Sequence, residues 1–329
     1  MIQFFISGPR TARVLEHKYM CASGVCSEQV AGLNIDSAVR DWQDCVVRHV
    51  VSGDDPTKLA EHALNLARIL AYPDLDVNAT LASIDGMGAK IAHTLKSKGI
   101  TRPTLIIGQI NEYLFNDQKF RPNTDDYYNP LNSYLNVVLE RKVGIPITLS
   151  ILYMRIAQGA GFPMLPVNFP AHFLAKHVME GDNGEIIVDP FNGGRIMDDY
   201  ALKALLERSY PHQNIAMTHA FVEKATSAQV MTRMLNNLKS SYYEAQDMER
   251  YEVANEMVLA IDQYNPDAIR DKGVVLLKKG RTEEALDALN AYLEVDPEAE
   301  DADDVLDVIR QIREGTYGKK KGEEEEKQG

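Results

Sequence analysis

The side chains best suited to chemistry lie between residues 129 and 199. His172 opens one predicted β-strand and Asp189 ends another. A histidine oriented by a carboxylate can act as a general base toward a thiol, a hydroxyl group or water. No cysteine occurs in this stretch, and the candidate hydroxyl nucleophile is Ser150, which lies on an apolar segment before the strands. The sequence therefore supplies a base and an orienting carboxylate but leaves the nucleophile open.

The elements around these residues predict an α+β core. The run IPITLSILYMRIAQGAG is apolar on nearly every side, which indicates a buried helix, and Pro146 suits its first turn. Three short predicted strands follow, MLPVNF, HFLAKHV and EIIV. If the last two pair antiparallel, His172 and Asp189 can meet, either as a catalytic remnant or ligand-binding dyad or as a buried pair that locks the sheet. The expected core is a central helix on a small antiparallel sheet.

Amphipathic patterns predict several helices before the core. One covers RPTLIIGQINEYLFNDQKF with Leu105 facing inward, and another runs from Pro130 to Gly144. Asn132 and Asn136 would share a face of the second helix, where they either line a polar cleft or bridge backbone groups of the connector FRPNTDDYYNP. The residues that could line a cleft are Asn132, Ser133, Asn136, Pro146 and Asn192.

The C-terminal third is helical and repetitive. Ala254 and Ala285 are 31 residues apart, as are Pro266 and Pro297, which predicts helix pairs that each close with a proline. Stacked pairs of this kind leave a face for a protein or peptide partner. The predicted division of the chain is a helical or irregular segment (1–50), the core domain (51–222), an all-α helical repeat domain (223–315) and a disordered charged tail (316–329).

Composition narrows the possible functions. A formal net charge of −13 argues against general nucleic-acid binding through a basic face. The three cysteines Cys21, Cys26 and Cys45 are an odd number without a matching downstream Cys or His pair, so we expect free thiols in a reducing cytoplasm and no metal or cofactor. There is no secretory signal and no apolar run of about 20 residues, so no membrane contact is expected.

The motifs NSYLN, GIPI, HFL and DPFNGG occur in order within one part of the chain. Together they resemble the bacterial SirB-type proteins, which are transglutaminase-like proteins with C-terminal tetratricopeptide repeats. The resemblance covers Leu59 to Gly315. It implies a papain/transglutaminase-like core followed by an all-α tetratricopeptide-like domain. The family is named for a role in regulating the expression of invasion genes, which implies no chemistry.

The same resemblance bears on catalysis. Aligned on the turn Gly161-Phe162-Pro163, the catalytic cysteine of transglutaminase-like enzymes falls on Pro146, their histidine on His172 and their aspartate on Asp189. A proline cannot act as the nucleophile. The resemblance thus implies a pseudoenzyme, a scaffold that regulates through protein–protein contacts. The alternative is a hydrolase or acyltransferase in which His172 and Asp189 activate Ser150 or water.

Overall fold

The structure, a computed structural model, describes residues 33–179, 181, 184–213 and 215–318. The chain divides into two compact units, of which the first is Leu33–Ala254 and the described part of the second begins at Asn255. Cys21, Cys26 and most of the predicted charged tail lie outside the described residues. Among the helices that are described, none is long and apolar enough to cross a membrane.

The first unit is built from helices around one buried helix, α7. Their bounds are α1 Ile35–Trp42, α2 Arg48–Ser52, α3 Leu59–Leu70, α4 Val77–Lys98, α5 Pro103–Asn111, α6 Leu135–Arg141, α7 Pro146–Gly159, α8 Asp199–Ser209, α9 Ser227–Glu244 and α10 Met248–Ile261, which crosses into the second unit. Helix α7 contacts α3, α4, α5 and α6 as well as two strands. Its apolar circumference is explained by these neighbours on every side.

The strands form one small sheet and one short pair. Their bounds are β1 Arg121–Pro122, β2 Val143–Gly144, β3 Leu165–Val167, β4 Leu174–Val178, β5 Glu185–Asp189 and β6 Arg195–Met197. Strands β3 to β6 lie in chain order, and each pairs antiparallel with the next, while β1 and β2 pair in parallel. The predicted α+β core, a buried central helix on a small antiparallel sheet, is confirmed.

Both ends of α7 are closed by protein groups. Pro146 is its first residue and has no N–H to leave unpaired, and the amide of Ile145 donates to the Thr148 hydroxyl at 3.1 Å. At the other end Gly161 takes a left-handed φ of 78°, and the Phe162 amide bonds back to the last turn of the helix. This glycine-terminated arrangement satisfies carbonyl groups that would otherwise be orphaned inside the protein.

Two glycines allow α4 and α7 to approach closely. A Cβ atom built on Gly88 would lie 2.8 Å from both the Cα atom of Gly159 and the carbonyl oxygen of Ile156. Atoms of the α7 backbone, which cannot swing aside as a flexible side chain could, occupy this space. On the same helix, Gly86 is exposed and has nothing within 4 Å of such a Cβ atom.

Two details before the core differ from the sequence-based expectation. The predicted helix from Pro130 to Gly144 is instead a single 3-10 turn at Pro130–Asn132 followed by α6, which ends at Lys142 in a left-handed conformation. Gly144 belongs to β2, where a Cβ atom would lie 2.9 Å from Thr148 Oγ1. Leu105 is 51% exposed because α5 turns other apolar residues inward, namely Ile107 and Ile110.

The described part of the second unit is wholly helical. It contains the end of α10, then α11 Pro266–Lys278, α12 Thr282–Val295 and α13 Ala302–Arg313. Gly273 packs against Leu289, and Gly280 makes the turn between α11 and α12 with a φ of 73°. Pro266 begins α11 rather than ending the helix before it, because its fixed φ suits a first helical turn. The predicted C-terminal helical repeat region is confirmed.

A buried histidine lies in the helical part of the first unit. His62 on α3 is 2% exposed, and no described residue bonds to its buried Nδ1 atom. Loss of water around the ring, with smaller contributions from the nearby His49 and Lys58, lowers the pKa of His62 from 6.5 to about 4. The folded protein therefore resists protonation of this ring, whereas the unfolded chain does not.

We predict opposite effects for two alanine substitutions in α4. Gly88→Ala should destabilise the protein by about 1–3 kcal/mol, because the added methyl group has to displace the α7 backbone. Gly86→Ala should stabilise it by about 0.5–1 kcal/mol, since alanine favours an exposed helical position over glycine. Chemical denaturation of both variants beside the wild type measures this, and equal effects would contradict the close approach of α4 and α7.

The free energy of unfolding should fall on mild acidification because of His62. Its contribution is complete above pH 6.5, the pKa of the unfolded chain, and is lost as the pH falls toward about 4. The loss between pH 7 and pH 5 should be about 2 kcal/mol. In His62→Leu the curve of unfolding free energy against pH should be flatter over this range, whereas the exposed control His93→Leu should follow the wild type. Parallel curves for wild type and His62→Leu would refute the assignment.

Candidate functional site

His172 and Asp189 meet in a buried pair. The Nε2 atom of His172 lies 2.9 Å from Asp189 Oδ1, with side-chain exposures of 8% and 1%. The carboxylate also accepts hydrogen bonds from the amides of Phe191 (3.1 Å) and Asn192 (3.2 Å) and from the Asn192 side chain (2.6 Å). Asp189 therefore caps the 3-10 turn Pro190–Asn192 while it orients the imidazole.

The charge on Asp189 fixes the hydrogen bonding of the ring. Burial alone raises the pKa of Asp189, but hydrogen bonds from His172 and Asn192 outweigh it and hold the pKa below its ordinary value. An ionised carboxylate only accepts, so Nε2 of His172 carries the donated proton. In the neutral ring Nδ1 is then the nitrogen with the lone pair, and no residue in the described part of the chain hydrogen-bonds to it.

A strained loop presents His172. The strand β4 begins only at Leu174, so His172 precedes it by two residues instead of opening it. Ala171 has a φ of 53°, an unusual conformation for a residue with a side chain. The His172 amide donates to the carbonyl of Phe169 at 3.0 Å, and the ring meets Phe191 edge-on with centroids 5.8 Å apart. Such strain persists where surrounding contacts determine the conformation.

The described hydroxyl groups on α7 are occupied elsewhere. Ser150 is fully buried, and its Oγ donates to the carbonyl of Phe173 at 3.2 Å, not to the preceding helical turn as a hydroxyl on an apolar helix often does. Thr148 donates to the carbonyl of Asn132 at 2.9 Å. Neither hydroxyl hydrogen-bonds to His172. Pro146, at the start of the helix, offers no nucleophilic atom.

Cys45 lies in a polar setting on the helical segment between α1 and α2. Its Sγ atom is 3.6 Å from Asp41 Oδ1 and 3.4 Å from Arg68 Nη2. Burial and the Asp41 charge raise the pKa of this thiol above its ordinary value, despite the opposing effect of Arg68. The environment therefore disfavours the reactive thiolate.

Asn132 holds the segment FRPNTDDYYNP, which precedes α6 and α7, through hydrogen bonds. Asn132 is fully buried; its amide donates to the carbonyls of Asp126 (2.7 Å) and Tyr127 (3.1 Å), and its Oδ1 accepts from Asn123 (2.9 Å). It thereby bridges backbone groups of the segment FRPNTDDYYNP. Asn132 and Asn136 do not share a helix, because α6 begins only at Leu135.

The two remaining polar residues of this group differ in their surroundings. Ser133 is 2% exposed. Asn136 is partly exposed, yet its Oδ1 atom is buried without a hydrogen-bond partner among the described residues.

Sequence reasoning missed two contributors to this region. Asn111 donates to the Gly194 carbonyl at 2.8 Å and accepts from the Tyr153 hydroxyl at 2.9 Å. Gly194 has a φ of 74°, and a Cβ atom there would lie 1.8 Å from Asn111 Oδ1, so the second glycine of DPFNGG is required by this contact. The other is Arg233 on α9, which donates to the Phe169 carbonyl at 3.0 Å. Its local sequence does not distinguish it from an ordinary surface cation.

We predict that His172→Ala lowers stability. The substitution removes one hydrogen bond to a buried carboxylate, which typically costs about 1–3 kcal/mol. Asp189→Asn should cost less, because its amide oxygen can still accept from His172. Thermal melts of both variants, with the exposed His93→Ala as control, measure the effect. Unchanged midpoints for both variants would reject a stabilising role for the pair.

Comparison with known proteins identifies the two parts of the chain. Residues 78–236 match the family model of the transglutaminase-like superfamily. Residues 238–310 match a tetratricopeptide repeat model. No solved structure matches the chain.

Curated relatives match different shares of the chain. A UPF0162 protein of Xylella fastidiosa (strain Temecula1 / ATCC 700964) is 34% identical over 258 residues, which cover 76% of this chain and 88% of the relative. Protein SirB1 of Salmonella typhimurium is 28% identical over 178 residues, 54% of this chain and 63% of SirB1. F-box only protein 21 of Mus musculus is 33% identical over 141 residues, 41% of this chain but 21% of the relative. The chain therefore belongs to the UPF0162 family of SirB1-like proteins, in which a transglutaminase-like domain is joined to tetratricopeptide repeats.

Proposed function

We propose that this protein is a non-catalytic, transglutaminase-like scaffold that acts in regulation in the cytoplasm. Its tetratricopeptide repeats bind a protein or peptide partner, and neither nucleic acid nor a membrane is its target. The match to tetratricopeptide repeats supports the coarser role, because such repeats generally mediate protein–protein contacts.

The observation that carries the non-catalytic part is the residue at the start of α7. The resemblance to transglutaminase-like enzymes, aligned on the turn Gly161-Phe162-Pro163, puts their catalytic cysteine at this position, where a helix N-terminus and a facing histidine would favour a thiolate. Here Pro146 occupies it as the first residue of the helix. The neighbouring hydroxyl groups of Thr148 and Ser150 bond to backbone carbonyls, so they do not replace the missing thiol.

One observation favours the alternative, a hydrolase or acyltransferase. The Nδ1 atom of His172 has no partner among the described residues, while Asp189 holds the opposite nitrogen. A ring held in this way can take a proton from water or from a hydroxyl group of a substrate. In this alternative the dyad activates an external nucleophile, and no side chain of α7 takes part.

Turnover measurements on the full chain decide between the two. The wild type and His172→Ala would be incubated with a panel of esters, amides and glutamine-containing peptides. The scaffold predicts that no reaction of the wild type is lost in His172→Ala. Turnover that disappears in His172→Ala and Asp189→Asn, with both variants folded, would overturn the proposal.

The variant Pro146→Cys tests whether position 146 corresponds to the nucleophile position of transglutaminase-like enzymes. If the alignment is right, iodoacetamide at neutral pH should modify the introduced thiol faster than it modifies Cys45, and the advantage should vanish in the double variant with His172→Ala. An equal rate in the single and double variants would show that position 146 does not face His172.

A capture experiment tests the repeats as the binding element. Gly273→Val should disturb the packing of α11 on α12, because a Cβ atom there would lie 2.7 Å from Leu289 Cδ2. A partner captured by the full-length wild type should be lost with Gly273→Val and retained with the reciprocal control His172→Ala. Retention by the folded Gly273→Val variant together with loss in His172→Ala would place the partner on the core domain.

A further inference from the structure

Arg233 lies on α9 between four buried apolar residues, Val230, Met231, Met234 and Leu235. Its Nη1 atom donates to the carbonyl of Phe169 at 3.0 Å and bonds to the side-chain oxygen of Asn168. The guanidinium carbon lies 5.7 Å from the centroid of the Phe173 ring. These contacts hold the guanidinium through Nη1. The remaining donors are on Nε and Nη2.

In the described part of the chain, the Nε and Nη2 edge of this guanidinium has no acceptor. Within the described part of the chain, Nε and Nη2 of Arg233 make no hydrogen bond, and no carboxylate forms an ion pair with the residue. Arg155 shows what this edge does when it is occupied, because its Nε and Nη2 hold the two oxygens of Asp85 at 2.7 and 2.8 Å. Arg233 thus presents the same planar pair of donors without the carboxylate.

The guanidinium of Arg233 is partly withdrawn from water but is not sealed off. Loss of water lowers the pKa of Arg233, although the nearby tyrosines Tyr127 and Tyr210 oppose the shift. The charge is nevertheless retained at any ordinary pH. The buried side-chain atoms that lack a hydrogen-bond partner among the described residues belong to His62, Asn136 and Arg270. The Nε and Nη2 atoms of Arg233 also lack a partner but are not in this set, so they are accessible to solvent. A half-buried cation with an accessible pair of donors is suited to an anion from outside.

Arg233 is tied through Nη1 to the loop that carries His172. The carbonyl of Phe169 accepts both from Arg233 Nη1 and from the His172 amide, each at 3.0 Å. Tyr127, which is 39% exposed, stands in electrostatic range of Arg233, and its backbone carbonyl is held by Asn132. Tyr128 meets the Tyr127 ring edge-on, with centroids 5.5 Å apart. Arg233 therefore lies near Tyr127 and is tied to the loop that carries His172.

We propose that Arg233 binds a carboxylate of an external ligand next to the loop that carries His172, through its Nε and Nη2 edge. The planar fork matches the two oxygens of a carboxylate, and one cation neutralises its single charge. This site does not depend on the scaffold function, because either a bound regulatory ligand or an enzyme substrate could supply the carboxylate.

The test is an NMR titration of the full-length protein with ¹⁵N-labelled arginine. The probes are propionate, acetyl-dialanine with a free carboxylate, acetyl-dialanine amide and inorganic phosphate, all at one ionic strength. The Nε–H signal of Arg233, assigned by its absence from Arg233→Lys, should shift saturably with the two carboxylates. The amide should leave it unmoved, and the Nε–H signal of Arg155, already bound to Asp85, should stay constant throughout.

Variants refine the outcome. Arg233→Gln should weaken binding of acetyl-dialanine by at least about tenfold, as loss of a charge-assisted contact does. Arg155→Gln is the matched control and should bind as the wild type does. Saturation with the peptide at lower concentration than with propionate identifies a chain terminus as the source, and the reverse identifies a small carboxylic acid. The proposal would be overturned if the carboxylates caused no saturable shift of the Arg233 signal. It would also be overturned if phosphate or the amide caused a shift equal to that of the carboxylates. Both outcomes can be observed with the wild-type protein alone.

Discussion

The architecture depends on burying α7 without leaving its ends unsatisfied. A helix in the interior cannot rely on water for the free amides and carbonyls at its termini. Here Pro146 removes one amide and Thr148 takes another, while the Gly161 turn satisfies carbonyls at the opposite end. Gly88 and Gly159 then let α4 approach the backbone itself. The surrounding helices and strands can cover α7 on every side because the amides and carbonyls at its ends already have hydrogen-bond partners within the protein.

This constraint gives Pro146 a physical purpose. A proline stabilises the first turn of a buried helix, whereas a thiolate there would need a charged partner to compensate for its burial. The remaining dyad is also useful to the fold without chemistry. Asp189 accepts three hydrogen bonds from its own turn, besides the one from His172. The pair therefore has a structural role in the fold that does not depend on any chemistry.

The sequence predicts those features that depend on local pattern. The apolar run of α7 with Pro146 in its first turn, and the strand that ends at Asp189, appear as expected. It misses features that depend on contacts between distant segments. Gly144 resembles a helix end until Thr148 is seen against it, and Arg233 resembles an ordinary surface cation until Phe169 is seen beneath it. Neither the close approach nor the unpaired edge has a local signature.

The difference between satisfied and unsatisfied groups separates structural residues from candidate ligand-binding ones. Arg155 and Arg233 are the same residue type in the same unit, yet Asp85 fills the donor edge of the first and no described carboxylate fills that of the second. Asn132 likewise uses its whole amide within the fold, whereas no described residue bonds to Nδ1 of His172. Hydrogen-bonding capacity that the fold consumes is explained by stability. The donor edge of Arg233 and Nδ1 of His172 are left to solvent or to a ligand, and this is what sets them apart from the groups that hold the fold together.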